Sequence, residues 1–473
     1  MALRDSLRRL MGNGPVDVGR LDREATRQED RPSLRPGMER AGDDIEVTEE
    51  YAVVRKLLEG GASAVFVTGN AGTGKTTLIR YVVNALDKAC AVVAPTGVAA
   101  LNIGGATIHS FCRLPPRIHE DRDIRELPDR RLLRRLELLI IDEISMVRCD
   151  LLDAVDKSLR LNRSSEEPFG GVSLLLVGDM FQLPPVVEEE ERPVLESRGY
   201  RSPYFFSSLA LQESGLFPME LTRVFRQTDP EFVRLLNHIR IGESGEEVLN
   251  AVNRQCVHRE KAQGAITLTP TNRLADTINE AGMAALPGPP RTYMGKVTGE
   301  FKPGRDKVPS PYDLTLKVGA RVMFTKNDEL RRWVNGTLGE VERLEEDAVF
   351  VRTAGTAGNV VHSVGPVTWN KYRYVYDSAS RKIVAKKVGS YRQFPLMPAW
   401  AVTIHKSQGK TLDSVLVDFG AGTFAPGQAY VALSRCRRLE DVHLVRPLRA
   451  SDIRCDPVVR RFYEGIERQM KGR

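Results

Sequence analysis

Short, unbroken apolar runs punctuate the chain from Ile45 onward, separated by helix-patterned segments. Val65–Thr68, Ala91–Ala94, Leu138–Ile141 and Leu174–Val177 are four such runs. A strand buried on one face alternates in polarity. A run that is apolar throughout suits a central strand of a parallel sheet, covered on both faces. A second set occurs at Ile266–Thr269 and Val415–Asp418. Within it, from Leu286 to Ser390, the chain turns rich in Val, Thr, Tyr, Gly and Arg, with turn signals at Val334-Asn335-Gly336 and Ala357-Gly358-Asn359. That pattern predicts a small β-rich insertion. The predicted class is α/β, with two parallel-sheet lobes and a β module interrupting the second. No tandem repeat at solenoid periods is visible.

Composition narrows the class. At 473 residues the chain has room for about three domains. With 41% hydrophobic and 28% charged residues it is expected to be globular, not disordered. No apolar run approaches the roughly 20 residues that a membrane-spanning helix needs, so no membrane partner is expected. The six cysteines contain no C-x-x-C pair, which fits a reducing compartment. The net charge of +7 permits a nucleic-acid partner without demanding one. Residues 1–44 are arginine-rich without apolar periodicity, and read as a disordered charged arm. A mitochondrial transit peptide would be poor in acids, whereas this arm carries Asp17, Asp22, Glu29 and Asp30.

The first chemical signal lies after the first run. Gly69-Asn70-Ala71-Gly72-Thr73-Gly74-Lys75-Thr76 fits the P-loop pattern, with Thr77 opening a helical stretch to Ala85. Its glycines let backbone N–H groups wrap a phosphate at a helix N-terminus. Lys75 is placed to reach the β- and γ-phosphates, and Thr76 to hold Mg²⁺. The third run ends in Asp142 and Glu143: one a metal ligand through water, the other a general base for an attacking water. The fourth run leads into Gly178–Pro185, where Gln182 leaves the sheet on the same edge as a candidate γ-phosphate sensor.

Further segments establish a resemblance. These are Ala94–Ala100, Ala106–Phe111, Asp142–Val147, Pro168–Gly171, Leu221–Gln227, Thr269–Asn272, Trp400–Gly409 and Tyr430–Arg435. Together with the P-loop they resemble, in order, the motifs of the petite-integration-frequency family of DNA helicases. That family is related to RecD, in the 5′-to-3′ branch of helicase superfamily one. The match runs from about Ile45 to Ala450. It implies two RecA-like lobes that sandwich ATP with Mg²⁺. On this reading residues 45–220 form the first lobe, and 221–285 with 391–450 the second. An SH3-like insertion spans 286–390, and 451–473 form a C-terminal tail. Residues 113–133 sit where the family carries its strand-separating wedge.

The resemblance assigns arginine fingers to Arg226 and Arg435, a nucleotide contact to Gly409, and single-stranded DNA contacts to both lobes. Pro95, Thr96, Thr107 and His109 would line the first lobe. Thr271, Asn272, Thr403, His405 and Lys406 would line the second. Phe111, Trp333 and Trp400 are candidate stacking platforms, although aromatic residues in such runs usually belong to the core. Tyr51 stands where the family's adenine-reading glutamine is expected. A ring stacks on a base but makes no bidentate amide contact, so relaxed nucleotide selectivity is expected. The expected partners are single-stranded DNA and single/double-strand junctions. A monomer of bacterial cytoplasmic type is expected, ahead of a mitochondrial or nuclear protein. The implied activity is ATP-driven 5′-to-3′ translocation and unwinding, in replication, repair or recombination. Two alternatives are a nucleotide-switched clamp and a P-loop small-molecule kinase. The kinase leaves Arg226, Arg435 and the second lobe unexplained.

Overall fold

The computed structural model describes residues 46–471, apart from residues 116, 228, 258–261, 263, 303–307, 331, 356–357 and 378–381. The arm at residues 1–44 lies outside the described residues.

The apolar runs are strands. In the first lobe, β1 (Ala64–Gly69), β2 (Cys90–Ala94), β3 (Ala106–Thr107), β4 (Leu138–Ile141), β5 (Ser173–Val177) and β6 (Phe217–Leu221) form one sheet. Its order is β3-β2-β4-β5-β1-β6, and every pairing is parallel. Two apolar layers cover it. Phe66, Ile141, Leu176 and Phe205 belong to one, Val65, Val67, Ile140 and Leu175 to the other. This two-sided burial explains why the runs lack alternation. The second lobe has a smaller parallel sheet, Ala401–Thr403, Ile266–Thr269, Val415–Val417 and Val442–Leu444 in that spatial order. In such sheets the loops at the carboxyl ends of the strands build the site.

The insertion is larger than expected and not a single module. It continues past Ser390 to the strand Leu396–Pro398, which pairs with Arg321–Phe324 in a five-stranded antiparallel sheet. The core of that sheet holds Val322, Phe324, Val341, Val351 and Leu396. A separate long hairpin, Val367–Asp377 with Lys382–Gln393, leans back on the first lobe. There the Tyr374 hydroxyl accepts from the Val92 N–H at 3.2 Å, and its ring meets Phe111 edge-on.

The expectation of a C-terminal tail is corrected. Pro457–Lys471 is a helix whose Val459, Tyr463 and Ile466 enter the core of the first lobe. Tyr463 stacks on Phe181 at 4.5 Å between centroids and shares a hydrogen bond with Thr68, one residue before the P-loop. The apolar positions 459, 462, 463 and 466 have helical spacing, but the arginines and glutamates between them give the segment a polar average. The chain therefore leaves the second lobe and closes on the first.

Residues 113–133 pack along the helix Cys149–Arg163. The Leu127 N–H donates to Asn162 Oδ1 at 2.8 Å, and Leu132 and Leu133 are buried. Phe111 and Trp333 are buried, and Trp400 packs beside the core of the insertion, so all three rings are packing groups.

Tyr463→Ala should destabilise the protein by about 3 kcal/mol, the cost of emptying an aromatic site. Tyr463→Phe should cost only about 1 kcal/mol, the worth of the Thr68 bond. Urea unfolding of both variants checks this, and equal losses would contradict it.

Candidate active site

The P-loop joins β1 to the helix Lys75–Ala85. Two of its glycines are required by close approach. Gly72 and Gly74 have φ of 83° and 82°. A Cβ on Gly72 would lie 2.4 Å from the Arg226 Cβ, and one on Gly74 would lie 2.4 Å from the Tyr51 hydroxyl. The Thr73 hydroxyl donates to the Asn70 carbonyl at 3.0 Å. Lys75 Nζ donates to the carbonyls of Gly69 and Asn70, each at 2.8 Å. Burial lowers its pKa against the pull of Asp179 and Glu143. An ammonium held by two neutral carbonyls is poised to exchange them for an anion. Thr76 is exposed at the first turn of the helix, and Thr77 follows it.

Tyr51 is not a base-stacking ring. It is buried beneath the P-loop, where its hydroxyl donates to the Gly74 carbonyl at 2.8 Å and its ring packs against Tyr81. Phe225 is the exposed ring at this edge, 3.6 Å from where a Gly74 Cβ would stand and 4.7 Å from the Arg223 guanidinium.

Asp142 and Glu143 emerge from β4. Glu143 has φ 50°, a left-handed backbone that costs a non-glycine residue on the order of 1 kcal/mol and aims its carboxylate into the cleft. Burial raises the pKa of both acids, and for Asp142 the neighbouring Glu143 adds to it. The Thr76 hydroxyl and the Asp142 carboxylate are hard oxygen donors suited to Mg²⁺. A buried carboxylate pushed toward neutrality is a group that such a cation would return to its anionic form.

The second lobe supplies the opposite wall. Arg435 is fully buried, and its guanidinium donates to the carbonyls of Val431, Ser407 and Lys410 and to the Ser434 hydroxyl. Burial, followed by the neighbouring Arg226, pulls its pKa down to about 9, so it is still a cation at neutral pH. Arg226 is lowered too, mainly by burial, and donates to the Ser434 carbonyl at 3.4 Å. Two desolvated guanidiniums facing a P-loop form a pocket for a polyanion.

Several contacts across the cleft carry no role in the sequence reading. Gln408 Nε2 donates to Glu143 Oε2 at 3.0 Å and to Gln182 Oε1 at 3.2 Å. The Tyr430 hydroxyl accepts from the Ala71 N–H at 2.9 Å. Arg240 and Asp179 form a buried ion pair, with Arg240 lying over the rings of Phe181 and Tyr463. Gln182 Nε2 donates to the same Asp179 at 3.4 Å. Gln408 and Tyr430 lie inside recognised motifs, which was the available signal. Arg240 lies outside them, and nothing in its local sequence sets it apart. Gly409, with φ 76°, is exposed and turns the chain after Gln408.

The strand-contact candidates form a repeated arrangement. Thr96, Thr107, Thr271 and Thr403 each follow or end a strand at the carboxyl edge of a sheet. Each accepts, through its hydroxyl, a backbone N–H three residues on, at 3.2, 3.1, 3.4 and 3.3 Å. Thr96 (φ −120°, ψ 153°) matches Thr271 (−120°, 149°), and Thr107 (−75°, 149°) matches Thr403 (−74°, 150°). The hydroxyl proton of each remains available to donate. Pro95 precedes the first threonine, and exposed Asn272 follows the third. His109 and His405 each lie two residues past a threonine, one ring on His119 and the other on Phe424. Burial, then His119, lowers His109 to about 4, so it is neutral at physiological pH. Lys406 is exposed beside His405.

Known proteins share this architecture. A family model described as PIF1-like helicase matches residues 47–248. The ATP-dependent DNA helicase Pif1 of Bdellovibrio bacteriovorus is 34% identical, over 90% of this chain and 93% of its own. The chain belongs to the PIF1-like helicase family. The human ATP-dependent DNA helicase PIF1 is also 34% identical over 89% of this chain, which spans 64% of that relative's length. Among solved family structures, Bacteroides sp Pif1 in complex with ADP-AlF4 has a TM-score of 0.82 at 37% identity, covering 90% of this chain and 98% of that one. Bacteroides Pif1 bound to ssDNA has a TM-score of 0.66 at 38% identity, with the same coverage of both chains. The two-lobed α/β fold is therefore that of the family.

Tyr51→Phe should cost about 1 kcal/mol of stability through the lost Gly74 bond. It should leave the preference between ATP and GTP unchanged. Competition between the two nucleotides checks this; an altered preference would return Tyr51 to the base pocket.

Proposed function

We propose that the chain is an ATP-dependent DNA helicase that moves 5′-to-3′ on single-stranded DNA and separates duplex or structured DNA, in replication, repair or recombination. It would act as a monomer in a bacterial cytoplasm; a bacterial relative, that of Bdellovibrio, supports the bacterial part of this reading. The carrying observation is the enclosure of Lys75, Arg226 and Arg435 around one cleft, with Glu143 within the field of Lys75 and Arg435.

The chemistry follows from those positions. The triphosphate replaces the P-loop carbonyls as the partner of Lys75. Arg226 and Arg435 meet the charge that grows on the γ-phosphoryl, an effect worth on the order of 10³–10⁵ in rate. Glu143 takes the proton of the attacking water, and Gln182 orients the γ-phosphate side. Held by Thr76 and Asp142, Mg²⁺ would neutralise phosphate charge. Since the cations come from both lobes, a bound γ-phosphate pulls the lobes together and its loss lets them part.

The strand lies along the edge that carries the four threonines. Hydroxyl and amide donors there grip phosphates, while the rings of His109 and His405 offer faces to bases. Two equivalent grips, one on each lobe, convert lobe closure into movement along the strand. Residues 113–133, beside the first grip, are the proposed wedge. The Bacteroides relative bound to ssDNA supports a single-stranded DNA partner by family likeness. A passive clamp is disfavoured because base, sensor and both arginines are all present at the cleft.

ATP turnover should rise strongly on adding single-stranded DNA, and Lys75→Ala should abolish it while some strand binding remains. Arg435→Ala should lower kcat by at least about 10³ with a much smaller change in KM. Turnover indifferent to the strand, or an Arg435 effect confined to KM, would contradict the proposal.

A further inference from the structure

We propose that Gln408 is a positioning residue that couples strand occupancy to the general base, restraining Glu143 until the strand moves the short helix to which Gln408 is joined. This rests on the helicase reading above and adds the route by which the strand controls hydrolysis.

The structure contains both ends of the route. Gln408 directly follows the helix Ile404–Ser407, whose N-cap is Thr403 and which carries the proposed strand contacts His405 and Lys406. The Gln408 N–H donates to the His405 carbonyl at 3.3 Å, and the Ser407 hydroxyl donates to the Ile404 carbonyl at 2.8 Å. The segment is one tight, bonded turn that joins the proposed strand contacts to a side chain reaching Glu143. At its far end the Ser407 and Lys410 carbonyls are held by Arg435. A displacement at His405 is thereby carried into Gln408 and toward the arginine finger.

The Gln408 amide holds the catalytic groups in an unproductive arrangement. Its single nitrogen bridges Glu143 and Gln182, at 3.0 and 3.2 Å. One carboxylate oxygen of the base is thus occupied by a donor instead of a water. The Gln182 oxygen faces Gln408 while its nitrogen faces Asp179, so neither end of that amide is turned to a γ-phosphate. At its other end the network is held by the buried ion pair of Asp179 with Arg240, on the second-lobe helix Pro230–Arg240. The movable member is Gln408.

The test measures ATP turnover with and without saturating single-stranded oligonucleotide, together with KM for ATP and strand affinity. Gln408→Met keeps the bulk and removes the amide. It should raise strand-free kcat about tenfold, the effect of removing a hydrogen bond to a charged group. Strand-saturated kcat, KM and strand affinity should each change by less than about threefold. Gln408→Leu, which likewise carries no donor to Glu143, should also release strand-free turnover. A merely structural role would lower both rates together. Unchanged or reduced strand-free turnover in both variants overturns the proposal, as does a matching loss of strand affinity. Wild-type turnover that ignores the strand would overturn the helicase reading as well. A responsive wild type with an equally responsive Gln408→Met overturns the coupling alone.

Discussion

The cleft encloses charge that neither lobe can satisfy alone. Lys75 bonds to two P-loop carbonyls, and Arg435 bonds to carbonyls and a hydroxyl of its own lobe. Glu143 accepts from an amide of the opposite lobe. Burial weakens the charged form of each of these groups, and a polyanion with its cation restores all of them together. On the proposed reading, that shared demand makes the nucleotide the element that decides how far the lobes close. The buried Arg240–Asp179 pair differs, since its two charges already satisfy each other across the lobes.

Around this cleft the fold repeats one device. Each lobe ends an edge strand and its neighbour in a threonine that caps the following turn, with closely matched backbone angles. A threonine hydroxyl used as a cap stays rigid and keeps a proton to donate, so the proposed grip is preformed. It also explains the modest basic surplus of the chain. The proposed strand contact, made by hydroxyls, amides and imidazole rings, needs few cations beyond Lys406.

Much of this was legible in the sequence because catalytic chemistry is local. The P-loop, Asp142-Glu143, Gln182 and the two arginines sit in contiguous motifs, and the apolar runs mark strands covered on both faces. Long-range packing was not legible. Tyr51 was expected near a base and lies under the P-loop, because its neighbours Val53 and Val54 also face the core and draw the helix inward. The C-terminal helix was read as a tail because its charged face masks the apolar spacing. Arg240 gave no signal, since its partner Asp179 lies 61 positions away.

The most direct measurement is ATP-dependent unwinding of matched duplexes carrying a single-stranded tail on either the 5′ or the 3′ side. The account predicts separation of the 5′-tailed duplex with ATP, and none with an analogue that cannot be hydrolysed. Separation of the 3′-tailed duplex alone, or separation without hydrolysis, would contradict it.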